Sequence, residues 1–224
     1  NGRFLASSGT DKVIKIWDVA TTQEYRALYG FDGRINDLIF SKDNIHLAGL
    51  SGHGELFVWN VLSGEVVFKE KSGNSSMRGV AFSKDGKKLI HSNGSNGNLT
   101  ITSIETGVSK EEELYSTALA VDSNKQIVYV LDQLGTLSYF DLETESIVKE
   151  VKLFEEFNYP FSGMKVSKDG KYLACGFNDD VLRFYDTDQH KFVYEYKASS
   201  KIQTLAFDTE NPYLYTSETS GVIN

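Results

Sequence analysis

IKIWD at 14–18 and LFVWN at 56–60 decide how this chain is read, because three later segments repeat their pattern: LTITS at 99–103, LSYFD at 137–141 and LRFYD at 182–186. Each is a short apolar stretch entered through a Gly or Asp turn. Their first apolar positions, Ile14, Leu56, Leu99, Leu137 and Leu182, are followed by Ile223, where a sixth copy begins; the intervals are 42, 43, 38, 45 and 41 residues. A fixed period of this length marks a repeated supersecondary unit of four strands. Working outward, an alternating apolar segment precedes each of these lines, as in INDLIF at 35–40 and IQTLAF at 202–207. It is followed by a turn, SKDN at 41–44 or SKDG at 83–86 and 167–170, in which Asn44, Gly86 and Gly170 tolerate the positive φ of a tight hairpin. A fourth strand follows, as in VVFKE at 66–70, SIVKE at 146–150 and FVYEY at 192–196. Helix-period stretches are scarce, and EEELYS at 111–116 is too short to count. The pattern predicts an all-β chain of four-stranded antiparallel meanders.

DKVIKIWDV at 11–19 and GELFVWNV at 54–61 resemble the third-strand signature of the WD-repeat β-propeller family, and SKDG stands where that family usually has Ser-Pro-Asp-Gly. The resemblance covers essentially the whole chain. A kelch-type propeller expects paired glycines in the second strand, and no repeat has them. The resemblance implies a β-propeller with four complete blades, at about 34–75, 76–115, 116–160 and 161–200, flanked by partial blades over 1–33 and 201–224. The chain enters at a second strand and stops inside a third, so the expectation is a segment of a larger, seven-bladed ring.

Family members carry a buried tetrad: a His in the loop before the first strand, a Ser or Thr in the second strand, an Asp in the turn before the third, and the third-strand Trp. Here the Asp position holds Asp11 and Asp179, but His53, Asn96 and Leu134 elsewhere. The Trp position reads Trp17, Trp59, Thr102, Phe140 and Tyr185. No His stands before a first strand, and Gly52-His53 sits in the wrong loop. Losing such networks shifts stability toward apolar packing between blades.

Composition narrows the function. With 224 residues, 23 Lys plus Arg, 31 Asp plus Glu and a net charge of −8, the chain is globular and acidic, which disfavours a phosphate-backbone binder. No apolar run approaches the ~18 residues of a spanning helix, and NGRFLASSGTDK does not read as a signal peptide. One cysteine, Cys175, excludes an internal disulfide framework and fits a reducing compartment, so an intracellular protein of cytoplasm or nucleus is expected. Two prolines rule out Pro-rich linkers. His46, His53, His91 and His190 are isolated, with no metal-binding cluster. Cys175 in KYLACGF reads as second-strand core. Asp179, Asp180, Asp186 and Asp188 read as turn and strand-end acids rather than a calcium loop. NGSNGN at 93–98 joins two strands and reads as a hairpin turn, and three sequons, at Asn74, Asn93 and Asn98, matter only in a secreted chain. No cofactor, metal or catalytic set is expected.

Recognition is the better prospect, since propeller loops are rigidly held and exposed. The longest connection, KLFEEFNYPFS at 152–162, carries Phe154, Phe157, Tyr159 and Phe161 beside Glu155 and Glu156. Phe154 and Phe161 are expected to tuck in as strand ends, leaving Phe157 and Tyr159 as contact residues. The resemblance places Arg34, Ser76, Tyr115 and Lys201, with Asp11, His53, Asn96 and Asp179, around the ring mouth. Of these, Arg34, Tyr115 and Lys201 could hold an acidic or aromatic peptide. The expected function is a non-catalytic protein–protein interaction scaffold in a multisubunit assembly, as in ribosome-assembly, ciliary or ubiquitin-ligase complexes. Alternatives are a reader of a short modified peptide or a ubiquitin-ligase substrate adaptor; an enzyme is least expected.

Overall fold

The computed structural model describes residues 2–71, 79–92, 97–154, 161–177, 179–208, 211 and 213–223, with only the backbone of Phe161 and Ser162. Two compact units meet at 114/115. The first holds three sheets. Sheet 1 is β1 (Phe4–Ser8), β2 (Ile14–Asp18) and β3 (Gln23–Leu28). Sheet 2 is β4 (Ile35–Phe40), β5 (His46–Ser51), β6 (Glu55–Asn60) and β7 (Val66–Lys71). Sheet 3 is β8 (Val80–Phe82), β9 (Lys88–Ser92), β10 (Asn98–Ser103) and β11 (Ser109–Tyr115).

The second unit repeats the plan. Sheet 4 is β12 (Ala118–Asp122), β13 (Ile127–Leu131), β14 (Thr136–Asp141) and β15 (Ser146–Lys152). Sheet 5 is β16 (Phe161–Val166), β17 (Tyr172–Phe177), β18 (Val181–Asp186) and β19 (Lys191–Lys197). Sheet 6 holds β20 (Ile202–Phe207) and β21 (Leu214–Glu218). Each sheet is an antiparallel meander in chain order, as the 42-residue period predicts. EEELYS falls within and just past the strand β11, not a helix.

The aromatic register is as the spacing requires. Trp17 faces Leu5, Trp59 faces Leu47, Thr102 faces Leu89, Phe140 faces Val128 and Tyr185 faces Leu173, each on the second strand of its own sheet. In sheets 1, 2, 4 and 5 a β-bulge between third and fourth strands falls at this aromatic. A bulge bends the strand and adds twist, so the large ring sits where the outer strand turns away. Burial follows strand position. The middle of β14 is fully covered while β15 is exposed almost throughout.

Cores form between consecutive sheets. Ile14, Ile16, Leu47 and Trp59 close sheets 1 and 2, and Leu56, Val58, Phe82 and Leu89 close sheets 2 and 3. In the second unit Tyr129, Leu137, Leu173, Phe177 and Tyr185 close sheets 4 and 5, and Ala174, Leu182, Ile202 and Leu205 close sheets 5 and 6. Each such aliphatic or aromatic side chain contributes about 1.5–3 kcal/mol by burial.

Turn chemistry explains the polar residue that ends each third strand. Oδ1 of Asp18 accepts from the Ala20 and Thr21 amides, Asn60 Oδ1 from Leu62 and Ser63, Asp141 Oδ1 from Glu143 and Thr144, and Asp186 Oδ1 from Asp188 and Gln189. These amide donors hold the Asp141 and Asp186 carboxyls below the usual carboxylate range, Thr144 leading in the first and Gln189 in the second. Four residues after the cap, the chain takes positive φ at Thr22, Gly64, Gly107, Glu145 and His190. The SKDN and SKDG hairpins likewise place Asn44, Gly86 and Gly170 at φ of 60°, 70° and 70°.

Candidate functional site

The loops that precede the first strands and the turns that join second to third strands share one end of each sheet. Positive φ recurs in these turns at Lys12, Gly54, Gly97, Gly135, Asp180 and Gly221, each two residues before the apolar position that defines the repeat. Within this frame the side chains differ from sheet to sheet. In sheet 1, Trp17 Nε1 donates to Ser7 Oγ at 2.9 Å and Asp11 Oδ1 accepts from the Val13 amide at 3.2 Å. Those are the second-strand, third-strand and turn positions of the tetrad.

Sheet 2 ties the same end with a different group. Glu55, 3% exposed, accepts from the amides of Asp32 and Gly33 at 3.2 Å and from Ser51 Oγ at 2.9 Å, and Lys71 Nζ lies 3.5 Å from it. A buried carboxylate with three donors replaces the His–Asp link between loop and turn. Its Trp59 faces no second-strand hydroxyl, because Gly49 holds the place of Ser7; the ring stacks on Phe57 at 5.4 Å. Sequence reading passed over Glu55, although an acid two residues after His53 in GHGE was the available signal.

In sheet 4 the turn is capped two positions earlier than expected. Asp132 Oδ1 accepts from the amides of Leu134 and Thr136 at 2.8 and 2.7 Å, while Leu134, at the expected Asp position, is exposed. Sheet 5 keeps Asp179, whose Oδ1 accepts from Val181 and whose Oδ2 lies 2.7 Å from Arg183. Burial works against ionisation there, but the guanidinium holds the Asp179 carboxyl below its usual range. Arg183 also lies 2.9 Å from Glu195 and stacks over Phe177, and Lys197 Nζ donates to the Asp179 carbonyl. In sheet 6, Glu218 accepts from Ser199 Oγ, the Ser200 amide and Ser200 Oγ, the hydroxyl of Ser199 leading the depression of its carboxyl.

Cys175 occupies the Ser7 position in sheet 5, opposite Arg183 as Ser7 is opposite Lys15. It is buried, and burial pushes its thiol up to about 12, so it is core. Between sheets 4 and 5 a tyrosine network fills the seam: Tyr139 OH lies 3.2 Å from Tyr185 OH, 3.5 Å from the Thr187 carbonyl and 3.1 Å from His190 Nδ1. Burial drives Tyr139 up and Tyr129 up to about 12. His190 thus has a partner that no local pattern announces.

The residues proposed from sequence fall as follows. Arg34 and Lys201 are exposed, and their carbonyls accept from the Gly52 and Thr219 amides. Tyr115, at the end of β11, is half-buried. The strand register gives Arg34 in sheet 2, Tyr115 in sheet 4 and Lys201 in sheet 6 the same position just before the first strand; Arg34 belongs to the first unit and the others to the second. His53 is exposed, its ring lying over Gly33. Phe157, Tyr159, Ser76 and Asn96 lie outside the described residues, as do Glu155, Glu156, Asn74 and Asn93. Phe154 is half-buried and packs on Phe177 and Phe192, as expected of a strand end; the Phe161 side chain lies outside the description. Among the described residues no group of three His, Cys, Asp or Glu is placed to hold a metal, and no helix is long and apolar enough to cross a membrane.

One feature of the second unit was not anticipated. A groove of about 1290 Å³ runs beside β21, lined by Tyr172, Phe184, Tyr194, Phe207, Tyr213 and Tyr215. Beyond β21, Ser217 bridges Ile223 in the register by which Leu131 faces Leu137, and the Glu218 amide donates to the Val222 carbonyl.

Comparison with known proteins agrees with this geometry. The family model "WD domain, G-beta repeat" matches residues 1–18. Autophagy-related protein 16 of Arabidopsis thaliana is 23% identical over 84% of this chain and 37% of its own length. A p21-activated protein kinase-interacting protein 1-like protein of Xenopus laevis is 27% identical over 88% of this chain and 53% of its own. The chain therefore spans about half or less of these relatives. The crystal structure of the Myceliophteria thermophila Cps50 (Swd1) β-propeller domain superposes with a TM-score of 0.79 at 17% identity, covering 100% of this chain and 81% of that one. The repeat register, the antiparallel sheets and this superposition show a β-propeller fold, and the WD-repeat family match falls on its first 18 residues.

Proposed function

We propose that this chain is a non-catalytic scaffold that holds protein partners, and that the loop-and-turn end of its sheets takes acidic segments of those partners. One observation carries the reading. The buried or half-buried carboxylates at that end are engaged within the chain, Glu55 by amides, Ser51 and Lys71, Glu218 by serines, and Asp179 by Arg183. Arg34 and Lys201 are exposed and have no acidic partner among the described residues. A cation left without an internal partner on a rigid turn is available to a carboxylate from outside. Support also comes from the Xenopus relative, whose name is that of a kinase-interacting protein.

Phe157 and Tyr159 add to this reading from sequence as aromatic anchors on the acidic connection at 152–162. The test is affinity purification of the full-length protein with mass spectrometry, followed by binding measurements on the partner recovered. Arg34→Glu with Lys201→Glu should weaken binding at least tenfold and flatten its salt dependence. Phe157→Ala with Tyr159→Ala should cost roughly 2 kcal/mol, the hot-spot scale. The exposed hairpin variant Lys84→Ala is the control. Unchanged affinity and unchanged salt slope in the charge-reversed variant would refute the acidic-partner reading.

A further inference from the structure

In sheet 1 two diagonal positions on second and third strands hold Ser7 and Trp17, joined by a hydrogen bond. The same two positions in sheet 3 hold His91 and Thr102. The bulk has moved from the third strand to the second. His91 Nε2 lies 3.3 Å from Thr102 Oγ1, which is 2.9 Å from Ser109 Oγ on β11. From sheet 2, β7 brings Glu70 Oε2 to 3.7 Å of the same nitrogen. On the other side β8 offers Val80, which does not titrate, and β11 sets Glu111 close enough to Glu70 to raise its carboxyl, after burial itself.

The ring is fully buried, and Nδ1 has no hydrogen-bond partner among the described residues. A hydrogen on Nδ1 would be a buried donor without an acceptor, the costlier kind of orphan. The neutral ring therefore carries its hydrogen on Nε2, facing Thr102 and Glu70, and leaves a bare lone pair at Nδ1. Protonation must place the second hydrogen at that dry position.

We propose that His91 is an acid-operated latch on the seam between sheets 2 and 3: the neutral imidazole closes the seam, and protonation opens it by driving the ring to water. Burial takes the imidazole down to about 4 and outweighs the backbone of Ser92, which works the other way. Acid also neutralises Glu70, whose carboxyl is raised, so the counter-charge fades as it would be needed. The sign follows. The closed form binds a proton at about 4 and the open form at the ordinary 6.5, so closure is fully favoured above 6.5 and is lost as pH falls toward 4. Between pH 7 and pH 5 the closed-to-open ratio should drop roughly twentyfold.

The test is hydrogen exchange on the full-length protein at pH 7 and pH 5, with protection factors corrected for intrinsic exchange. Amides of β9 and β10 should lose roughly twentyfold protection while those of β17 and β18 hold. Imidazole NMR should show His91 as the Nε2–H tautomer, titrating near pH 4. His91→Ser with Thr102→Trp rebuilds the sheet 1 pair and should remove the acid response. If that variant does not fold, the titration of the natural protein decides alone. A His91 that titrates near 6.5 in the folded protein, an Nδ1–H tautomer, or unchanged protection in β9 and β10 at pH 5 would each overturn the latch.

Discussion

Three glycines share one backbone conformation and differ only in what surrounds them, so Gly→Ala at each separates backbone strain from contact between sheets. Gly107, Gly86 and Gly170 have φ of 69°, 70° and 70°. A Cβ at Gly107 would meet nothing within 4 Å, and one at Gly86 would lie 3.3 Å from Asp43 Oδ2 in the hairpin of the neighbouring sheet. At Gly170 it would lie 1.9 Å from Asp122 Oδ2 and 3.1 Å from Lys125 Cε. Asp122 cannot step aside cheaply. It is 3% exposed, and its Oδ1 accepts from the Asn124 and Lys125 amides at 2.9 and 3.0 Å. Lys125 Nζ in turn donates to the Gly170 carbonyl, and Asn124 Nδ2 to that of Lys168. The left-handed conformation costs a non-glycine residue about 1–2 kcal/mol, partly offset by ~0.4–1 kcal/mol from a less flexible unfolded chain. Gly107→Ala should therefore lose about 1 kcal/mol. Gly170→Ala adds the loss of hydrogen bonds to a charged group, about 1.5–3 kcal/mol each, and should lose about 4 kcal/mol in all. Gly86→Ala should fall between them, since the Asp43 carboxylate can yield a few tenths of an ångström. Urea denaturation at neutral pH reads all three. A Gly170→Ala loss within about 1 kcal/mol of Gly107→Ala would refute the claim that this hairpin is seated on the neighbouring sheet.

Further expectations follow from single contacts. Trp17→Phe keeps an aromatic ring but loses the bond to Ser7 and part of the indole, so it should cost at least about 1 kcal/mol in the same assay. Tyr139→Phe removes the hydroxyl shared with Tyr185, Thr187 and His190 and should cost about 1–2 kcal/mol; no loss would mean the network is idle. Thr22→Gly relieves a β-branched residue at φ 58° and should raise stability by about 1 kcal/mol. The Cys175 thiol, buried and pushed up to about 12, should resist iodoacetamide at pH 8 until the protein is denatured, and stoichiometric labelling of the folded chain would contradict its assignment to the core.

The strands were legible because a strand needs only alternation and a turn, and both are local. IKIWD, LFVWN and LSYFD carry their own register, and SKDG announces its positive φ. What was not legible was side-chain partnership across sheets. Arg183 and Asp179 could be paired by their spacing of four, but Glu55 meets the amides of Asp32 and Gly33 more than twenty residues away. Tyr139 meets His190 across fifty-one residues. Nothing local distinguishes a glutamate that will be buried under loop amides from one that will be solvated, so Glu55 and Glu218 were missed. Leu134 shows the opposite error in miniature: the Asp position is empty there because Asp132, two residues earlier, caps the turn instead.

The two kinds of polar position in the repeat vary differently, and the reason is what they bond to. The residue after the third-strand aromatic is Asp18, Asn60, Ser103, Asp141 or Asp186, always a short acceptor, because it must satisfy amides of a turn whose geometry is the same in every sheet. The second- and third-strand positions of the tetrad meet each other rather than turn amides, so they can change together without leaving a backbone group unpaired. Ser7 with Trp17, Gly49 with Trp59, His91 with Thr102, Val130 with Phe140 and Cys175 with Tyr185 are five fillings of one space. Where the hydroxyl is lost, a ring stack or a tyrosine network takes its place. The sheet frame is thus held by backbone demands, while the seams between sheets are free to differ. That freedom allows one seam to be closed by an imidazole and another by tyrosines while the turns that carry Arg34 and Lys201 keep the same position in their sheets.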